Sequence, residues 1–119
     1  KEVDSDGIVI ATKSSMKKSL DKINYDYALI DSVDLMINKP YFNFNKADSI
    51  SVSVAAASII AKVCRDSIMS NIYDKLYPDY FFKNNKGYGS NKHIEIMKNI
   101  GLCTIHRKTF KPNCELIRK

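Results

Sequence analysis

The longest helical pattern in the sequence runs from Ser51 to Tyr77 and places one carboxylate, Asp66, on its apolar side. The apolar residues on the same side are Ala55, Ile59, Val63, Met69 and Tyr73. A carboxylate that faces a core is costly unless it is paired, hydrogen-bonded or bound to a cation. Asp66 could therefore form ion pairs with Lys62 and Arg65, or it could help to hold a metal ion with carboxylates from elsewhere.

A second carboxylate, Asp31, follows the apolar segment Tyr25–Ile30, which the pattern predicts to be a short buried strand. A carboxylate at a strand end is well placed for chemistry. Asp31 and Asp66 are the two carboxylates that the sequence singles out.

The elements before the long helix are a helix and two strands. Asp4 or Ser5 is expected to cap a helix that continues to Ile23. The alternating aromatic residues of Tyr41–Phe44 predict a second strand after the one that ends at Asp31. This order indicates an α/β layer.

The long helix is expected to end near Leu76, because Pro78 disfavours helical geometry in the residue before it. The segment 83–90, with glycines on both sides of Tyr88, is the most loop-like part of the chain. Ser90 is a suitable cap for a last helix that Gly101 would end.

Two strands are too few for a self-sufficient α/β sheet, which usually has about four to six. We therefore expect that strands belonging before Lys1 are missing or come from another chain. The sequence also begins without methionine, which favours a piece of a longer polypeptide. The 119 residues are expected to be part of a single domain.

The net charge of +6 is placed unevenly along the chain. Residues 83–119 hold nine lysines or arginines and two acidic residues, whereas the first 82 residues are close to neutral. Because aromatic residues lie among these cations, the pattern suits a polyanion such as nucleic acid, and the alternative is a merely solubilising surface.

Three cysteines without a C-x-x-C pair are expected to be reduced and unligated. No apolar run has the roughly 20 residues of a membrane span, and no signal-peptide pattern is present. We expect a cytoplasmic protein that does not contact a membrane.

Four segments in this order and spacing resemble the C-terminal part of type 2 ribonuclease H, or ribonuclease HII. The segments are Ala28-Leu-Ile-Asp31, Ser53-Val-Ala-Ala-Ala-Ser-Ile-Ile-Ala-Lys-Val-Cys-Arg-Asp66, Lys86-Gly-Tyr-Gly-Ser90 with His93, and Ile105-His-Arg-Lys-Thr-Phe-Lys-Pro112. The resemblance implies a ribonuclease H-like mixed sheet with flanking helices, here lacking its N-terminal strands. Residues 1–119 would then be the C-terminal part of one catalytic domain.

The resemblance also implies an activity. The family uses Mg²⁺ or Mn²⁺ to cleave RNA in RNA–DNA hybrid duplexes and to incise DNA on the 5′ side of embedded ribonucleotides, leaving a 3′-hydroxyl and a 5′-phosphate. Asp31 would be the metal-binding aspartate at the end of the central strand, and Asp66 the aspartate on the helix. The complete enzyme is expected to be a monomer.

Substrate contacts are expected from four residues. Tyr88 matches the family tyrosine that packs on the sugar at the RNA–DNA junction, and the alternative is a turn aromatic that packs on its own domain. Lys62 and Lys86 match polar positions of the family motifs, although pairing with Asp66 explains Lys62 about as well as phosphate contact. Arg107 is expected to contact phosphate without reading sequence.

The sequence departs from the family at several positions. Its adjacent Asp-Glu ligands and its Gly-Arg-Gly segment have no match here, so the chain would hold half of the four carboxylates. Ser32 stands where the family usually has glycine after the strand aspartate. The alternative to an enzyme is therefore a non-catalytic nucleic-acid-binding fragment, and type 3 ribonuclease H is a further alternative that the Lys-Gly-Tyr-Gly motif disfavours.

Overall fold

The computed structural model describes residues 2–117, in two compact units with their boundary after Ala61. The first unit begins with helices α1 (Glu2–Asp6) and α2 (Ile8–Leu20). Gly7 separates them because its φ of +83° is incompatible with a continuous right-handed helix. The predicted single helix is therefore wrong in two respects: Asp4 and Ser5 lie inside α1 rather than capping it, and Ile23 lies beyond α2.

The sheet of the first unit consists of two parallel strands, β1 (Ala28–Asp31) and β2 (Tyr41–Phe44). Ala28 pairs with Tyr41 and Asp31 with Phe44, so the carboxylate belongs to the last residue pair of the ladder. Both predicted strands are present, although β1 begins three residues later than expected. The α/β class is confirmed, and the described sheet is consistent with a ribonuclease H-like fragment that lacks N-terminal strands.

The core of the first unit lies on one face of β1. Ala28 and Ile30 are buried there with Leu35 from the following loop. Met16 and Leu20 of α2 pack against them. The alternate residue Leu29 is exposed, as the period of two along a strand requires.

Short helix α3 (Ala47–Ile50) precedes the long helix α4 (Val52–Ile68), which crosses the boundary between the units. The helical path continues through a π-helical segment (Met69–Tyr73) into α5 (Asp74–Leu76). The predicted end of the helix at Leu76 is correct, but the π-helical segment was not anticipated.

The predicted apolar stripe of this helix is only partly buried. Ile59 and Val63 are 63% and 61% exposed, and Val54 is the buried residue of α4. The expectation of a buried stripe is wrong for the middle turns of α4, because the described residues leave that face open to solvent. The side chain of Asp66 remains 22% exposed.

The rest of the second unit is a set of short helices around an aromatic core. Its elements are a 3-10 helix (Pro78–Tyr80), α6 (Phe82–Asn85), α7 (Asn91–Ile100) and α8 (Asn113–Ile117). Tyr80, Phe82 and Met97 form the buried cluster, in which the two aromatic rings stack with centroids 5.6 Å apart. The start and end of α7 agree with the sequence prediction: Ser90 accepts a hydrogen bond from the His93 amide, and Gly101 follows the last helical residue.

Within residues 2–117, no helix is both long enough and apolar enough to cross a membrane.

Candidate nucleic-acid and metal-binding site

Asp31 is held at the end of β1 by hydrogen bonds to one of its carboxylate oxygens. Oδ1 accepts from the backbone N–H of Ala47, with N and O 3.0 Å apart, and from the Ser32 hydroxyl at 2.8 Å. The bond from Ala47, and after it the one from Ser32, holds the pKa of Asp31 below its ordinary value of 3.8. Asp31 is therefore an oriented carboxylate that is ionised at neutral pH and can serve as an oxygen ligand for a cation.

Ser32, where the resemblance led us to expect glycine, has an unusual backbone conformation. Its φ is +57°, in the left-handed region that favours glycine. Its hydroxyl donates to the Asp31 carboxylate. Ser32 is therefore one of the residues that orient Asp31.

Asp66 is compensated within its own helix. Lys62 Nζ lies 2.9 Å from Oδ2, and Arg65 Nη1 lies 3.0 Å from Oδ1. The hydrogen bond from Lys62 is the main reason that the pKa of Asp66 lies below its ordinary value, and the same contact raises the pKa of Lys62. The structure therefore contains the ion pairs of Asp66 with Lys62 and Arg65 that the sequence offered as one of its two explanations.

Tyr88 lies on the turn formed by residues 87–89, which we call the Tyr88 turn. The guanidinium carbon of Arg65 is 4.5 Å from the centre of the Tyr88 ring, and Lys62 Nζ is 5.6 Å from it. Arg65 thus connects the carboxylate of Asp66 to the face of the tyrosine ring. Half of Tyr88 remains exposed, so its ring is accessible to a ligand.

Lys86 immediately precedes the Tyr88 turn, and its ammonium group is hydrogen-bonded within the protein. Its ammonium group donates to the Ser70 hydroxyl and, at 2.5 Å, to the carbonyl oxygen of Lys83. Ser70 in turn donates to the carbonyl oxygen of Asp66 at 2.8 Å. Through Ser70, Lys86 therefore links the Tyr88 turn to the helical segment that follows Asp66. This contact is structural, whereas the phosphate contact expected of Lys86 stays a prediction.

Arg107 is exposed, and its guanidinium carbon lies 4.9 Å from the ring centre of Phe110. Arg65, Tyr88, Arg107, Phe110 and Lys111 line one open cavity of about 530 Å³ in the second unit. Cationic and aromatic side chains in one groove are the combination that binds a nucleic-acid strand through phosphates and stacked bases.

The second unit thus gathers five charged or aromatic residues that the sequence singled out. Lys62, Asp66, Lys86 and Tyr88 are linked through Ser70 or Arg65, and Arg107 lines the same cavity as Tyr88. Asp31 belongs to the first unit. Arg65 was not among the site residues predicted from the sequence, although its position beside Asp66 in the motif was the available signal.

The two aspartates fit a hard divalent cation by ligand type, since both are carboxylates with a lowered pKa. Among residues 2–117, however, no three His, Cys, Asp or Glu side chains are grouped closely enough to hold a metal ion. A cation at either aspartate would therefore need further oxygen ligands.

Comparison with known proteins agrees with the motifs. The family model described as Ribonuclease HII matches residues 1–113. The chain is 45% identical over 117 residues to ribonuclease HII of Enterococcus faecalis, covering 97% of this chain and 46% of that protein. It is 46% identical over 112 residues to the Listeria innocua protein of the same name, covering 92% of this chain and 42% of that protein.

A third relative is ribonuclease HII of Acholeplasma laidlawii, 42% identical over 119 residues, with 98% of this chain and 58% of that protein covered. The chain spans about half the length of the curated relatives that it matches. The match extends over nearly all of the described residues and includes every motif discussed above. The chain therefore belongs to the ribonuclease HII family.

Proposed function

We propose that the protein containing this chain is an endonuclease that cleaves the RNA strand of RNA–DNA hybrids and incises DNA 5′ to embedded ribonucleotides. The observation that carries the proposal is the match over residues 1–113. In the second unit, the contact of Tyr88 with Arg65, which pairs with Asp66, agrees with it. Hydrolysis would leave a 3′-hydroxyl and a 5′-phosphate. Residues 1–119 would be the C-terminal part of a single ribonuclease H-like catalytic domain.

Asp31 and Asp66 are the proposed ligands of Mg²⁺ or Mn²⁺. When bound, two such cations activate a water molecule and stabilise the leaving oxygen of the phosphodiester. Their further oxygen ligands would come from substrate phosphate and from a part of the complete polypeptide that corresponds to the region of the relatives outside the match. The hydrogen bonds from Ala47 and Ser32 support the role of Asp31, because they orient the carboxylate and keep it ionised.

Lys62 and Arg65 give Asp66 a second property. Both of its oxygens are paired, so Asp66 would have to give up at least one of these side chains to ligate a divalent cation. The released ammonium and guanidinium groups would then be available to phosphate next to the Tyr88 turn. Lys62 is thus proposed to contact substrate phosphate only when a divalent cation, instead of Lys62, balances the charge of Asp66.

Tyr88 is the proposed reader of the junction between ribose and deoxyribose. Its half-exposed ring can stack on a sugar or base, and its hydroxyl can distinguish a 2′-hydroxyl. Lys86 and Arg107 are proposed to add phosphate contacts that position the duplex without reading sequence. The complete protein is proposed to act as a monomer in the cytoplasm.

A non-catalytic nucleic-acid-binding fragment is the second candidate. It is favoured by one observation: residues 2–117 do not group three potential metal ligands. Such a fragment would keep the basic and aromatic cavity of the second unit but would not hydrolyse phosphodiesters.

Cleavage of a DNA duplex with one embedded ribonucleotide distinguishes the two candidates. The chain, the complete polypeptide that contains it, and the Asp31→Asn variants of both are incubated with Mg²⁺ or Mn²⁺. We expect incision 5′ to the ribonucleotide by the complete polypeptide, reduced at least about 100-fold by Asp31→Asn because a metal ligand is lost. Salt-sensitive binding without incision by either form would leave only the binding function.

A further inference from the structure

Two histidines, His93 and His106, pack against each other at the cavity that Tyr88 also lines. His93 is 2% exposed, and its ring stacks on that of the partly exposed His106 with centroids 5.3 Å apart. Their Nε2 atoms are 3.3 Å apart. The proposed chemistry uses neither residue, so the buried imidazole of His93 calls for another role.

Asn85 connects this pair to the Tyr88 turn. Its Oδ1 accepts from the backbone N–H of Gly87 at 2.7 Å, and its Nδ2 donates to the carbonyl oxygen of Tyr80 at 2.7 Å. These two bonds determine which way the amide points. Nδ2 then also faces His93 Nδ1, at 3.2 Å, so this ring nitrogen must be an unprotonated acceptor.

The backbone of the turn depends on Asn85 as well. The N–H of Tyr88 donates to the Asn85 carbonyl oxygen at 2.9 Å, so the side chain and the main chain of one residue hold two successive amides. Gly87 has a φ of +73°, which glycine adopts without strain, so the two hydrogen bonds from Asn85 are what fix the turn. A change in the orientation of the Asn85 amide would therefore reach the residue before Tyr88 directly.

We propose that His93 is a positioning residue that holds the Tyr88 turn through Asn85. With Nδ1 accepting from Asn85, a neutral His93 carries its proton on Nε2. His106 Nδ1 accepts from the backbone N–H of Cys103 at 3.0 Å and lies 3.0 Å from the Cys103 sulfur. His106 is thus engaged by Cys103, and the contact with Asn85 rests on His93 alone.

The significance of this turn for substrate rests on the proposed function, whereas the positioning itself does not. The first measurement is therefore independent of nucleic acid. Amide hydrogen exchange at Gly87 is followed by NMR in the complete polypeptide that contains this chain, comparing wild type with His93→Phe. Phenylalanine keeps an aromatic ring in the core but offers no acceptor to Asn85.

We expect His93→Phe to accelerate exchange at Gly87 about 5-fold, the equivalent of one net hydrogen bond. His93→Gln, whose amide oxygen can accept from Asn85, should restore most of the protection. Met97→Leu is the matched control: it alters the same buried cluster with little change in volume, and it should leave Gly87 exchange unchanged. Equal exchange at Gly87 in wild type and His93→Phe would overturn the proposal.

The second measurement compares the affinity for a duplex with one ribonucleotide with that for an all-DNA duplex. His93→Phe should reduce this ratio about 3-fold or more, with all-DNA affinity unchanged, because phosphate contacts do not depend on the Tyr88 turn. An equal loss of affinity for both duplexes would indicate a purely structural residue and overturn the proposal. A wild-type protein that shows no preference at all would instead overturn the proposed function, and Gly87 exchange would still decide the positioning role.

Discussion

Arg65 makes two contacts in the structure, and the sequence predicted only the one with Asp66. It pairs with Asp66 at 3.0 Å and lies over the Tyr88 ring at 4.5 Å. Both contacts use the planar guanidinium group, which lies closer to the ring than the ammonium of Lys62, at 4.5 Å against 5.6 Å from the ring centre. The adjacent Lys62 shares the charge contact, so the geometry rather than the charge distinguishes Arg65.

Replacement of Arg65 by lysine tests this distinction. We expect Arg65→Lys to weaken binding of a ribonucleotide-containing duplex about 3- to 10-fold, the value of a partly exposed cation–π contact. Fluorescence anisotropy with labelled duplexes measures the effect. Cys64→Ser, an exposed neighbour on the same helix, is the control that should have no effect. Equal affinity of Arg65→Lys and wild type would show that only the charge matters.

At the scale of elements, the Tyr88 turn depends on close approach to the π-helical segment. A Cβ on Gly87 would lie 3.1 Å from Met69 Cε, and the φ of Gly87 is +73°. Gly89 differs on both counts: its added Cβ would meet nothing within 4 Å, and its φ is not in the left-handed region. The two glycines therefore form a matched pair in one turn.

Alanine substitutions separate the two positions. We expect Gly87→Ala to lower the free energy of unfolding by about 1–2 kcal/mol, from the left-handed backbone and the contact with Met69. Gly89→Ala should change it by less than about 0.5 kcal/mol. Urea unfolding measures both values. A Gly89→Ala variant as unstable as Gly87→Ala would contradict the difference that the structure assigns to them.

At the scale of the whole molecule, the histidine pair predicts how stability depends on pH. Burial lowers the pKa of both His93 and His106 from 6.5, and their mutual repulsion lowers that of His93 further. The unfolded chain then binds protons at a higher pH than the folded chain. Stability is therefore complete above about pH 6.5 and is lost as the pH falls through the lowered values.

Urea unfolding between pH 7.5 and 5 tests this sign. We expect the free energy of unfolding to fall with pH over this range, because the chain has two histidines and no other side chain type ordinarily titrates there. The groups around the pair are Asn85, Tyr80 and Cys103, and none supplies a carboxylate that would stabilise an imidazolium. A variant with both histidines replaced by phenylalanine should lose the slope; stability that rises on acidification would contradict the prediction.

Charge predicts a second property of the whole molecule, the salt dependence of duplex binding. Arg107→Gln should reduce the slope of log affinity against log salt by about 1, if its exposed guanidinium contacts one phosphate. Lys98→Gln is the control, since it removes the same charge from a residue that lines a different cavity. Both slopes are obtained from binding measured between about 50 and 200 mM salt. Equal slopes for the two variants would contradict a phosphate contact of Arg107.

The sequence by itself determined the family, the α/β class, both strands, the helix from Ser90 to Gly101, and the candidate residues Asp31, Asp66 and Tyr88. These follow from local signals: apolar periodicity, caps, glycines and a long motif. It predicted the end of the long helix at Leu76 correctly, because proline geometry acts on the preceding residue alone.

The tertiary structure decided what packs around most of those residues. The exposure of Ile59 and Val63 depends on what packs nearby, which no periodicity encodes. The break at Gly7 and the π-helical segment were likewise seen only in the structure. The ring of Tyr88 against Arg65 and the contact of Asn85 with His93 join residues 8 to 23 positions apart. Such contacts form only when the chain folds back on itself. The sequence therefore identified the candidate site residues, and the tertiary structure determined which distant residues contact them.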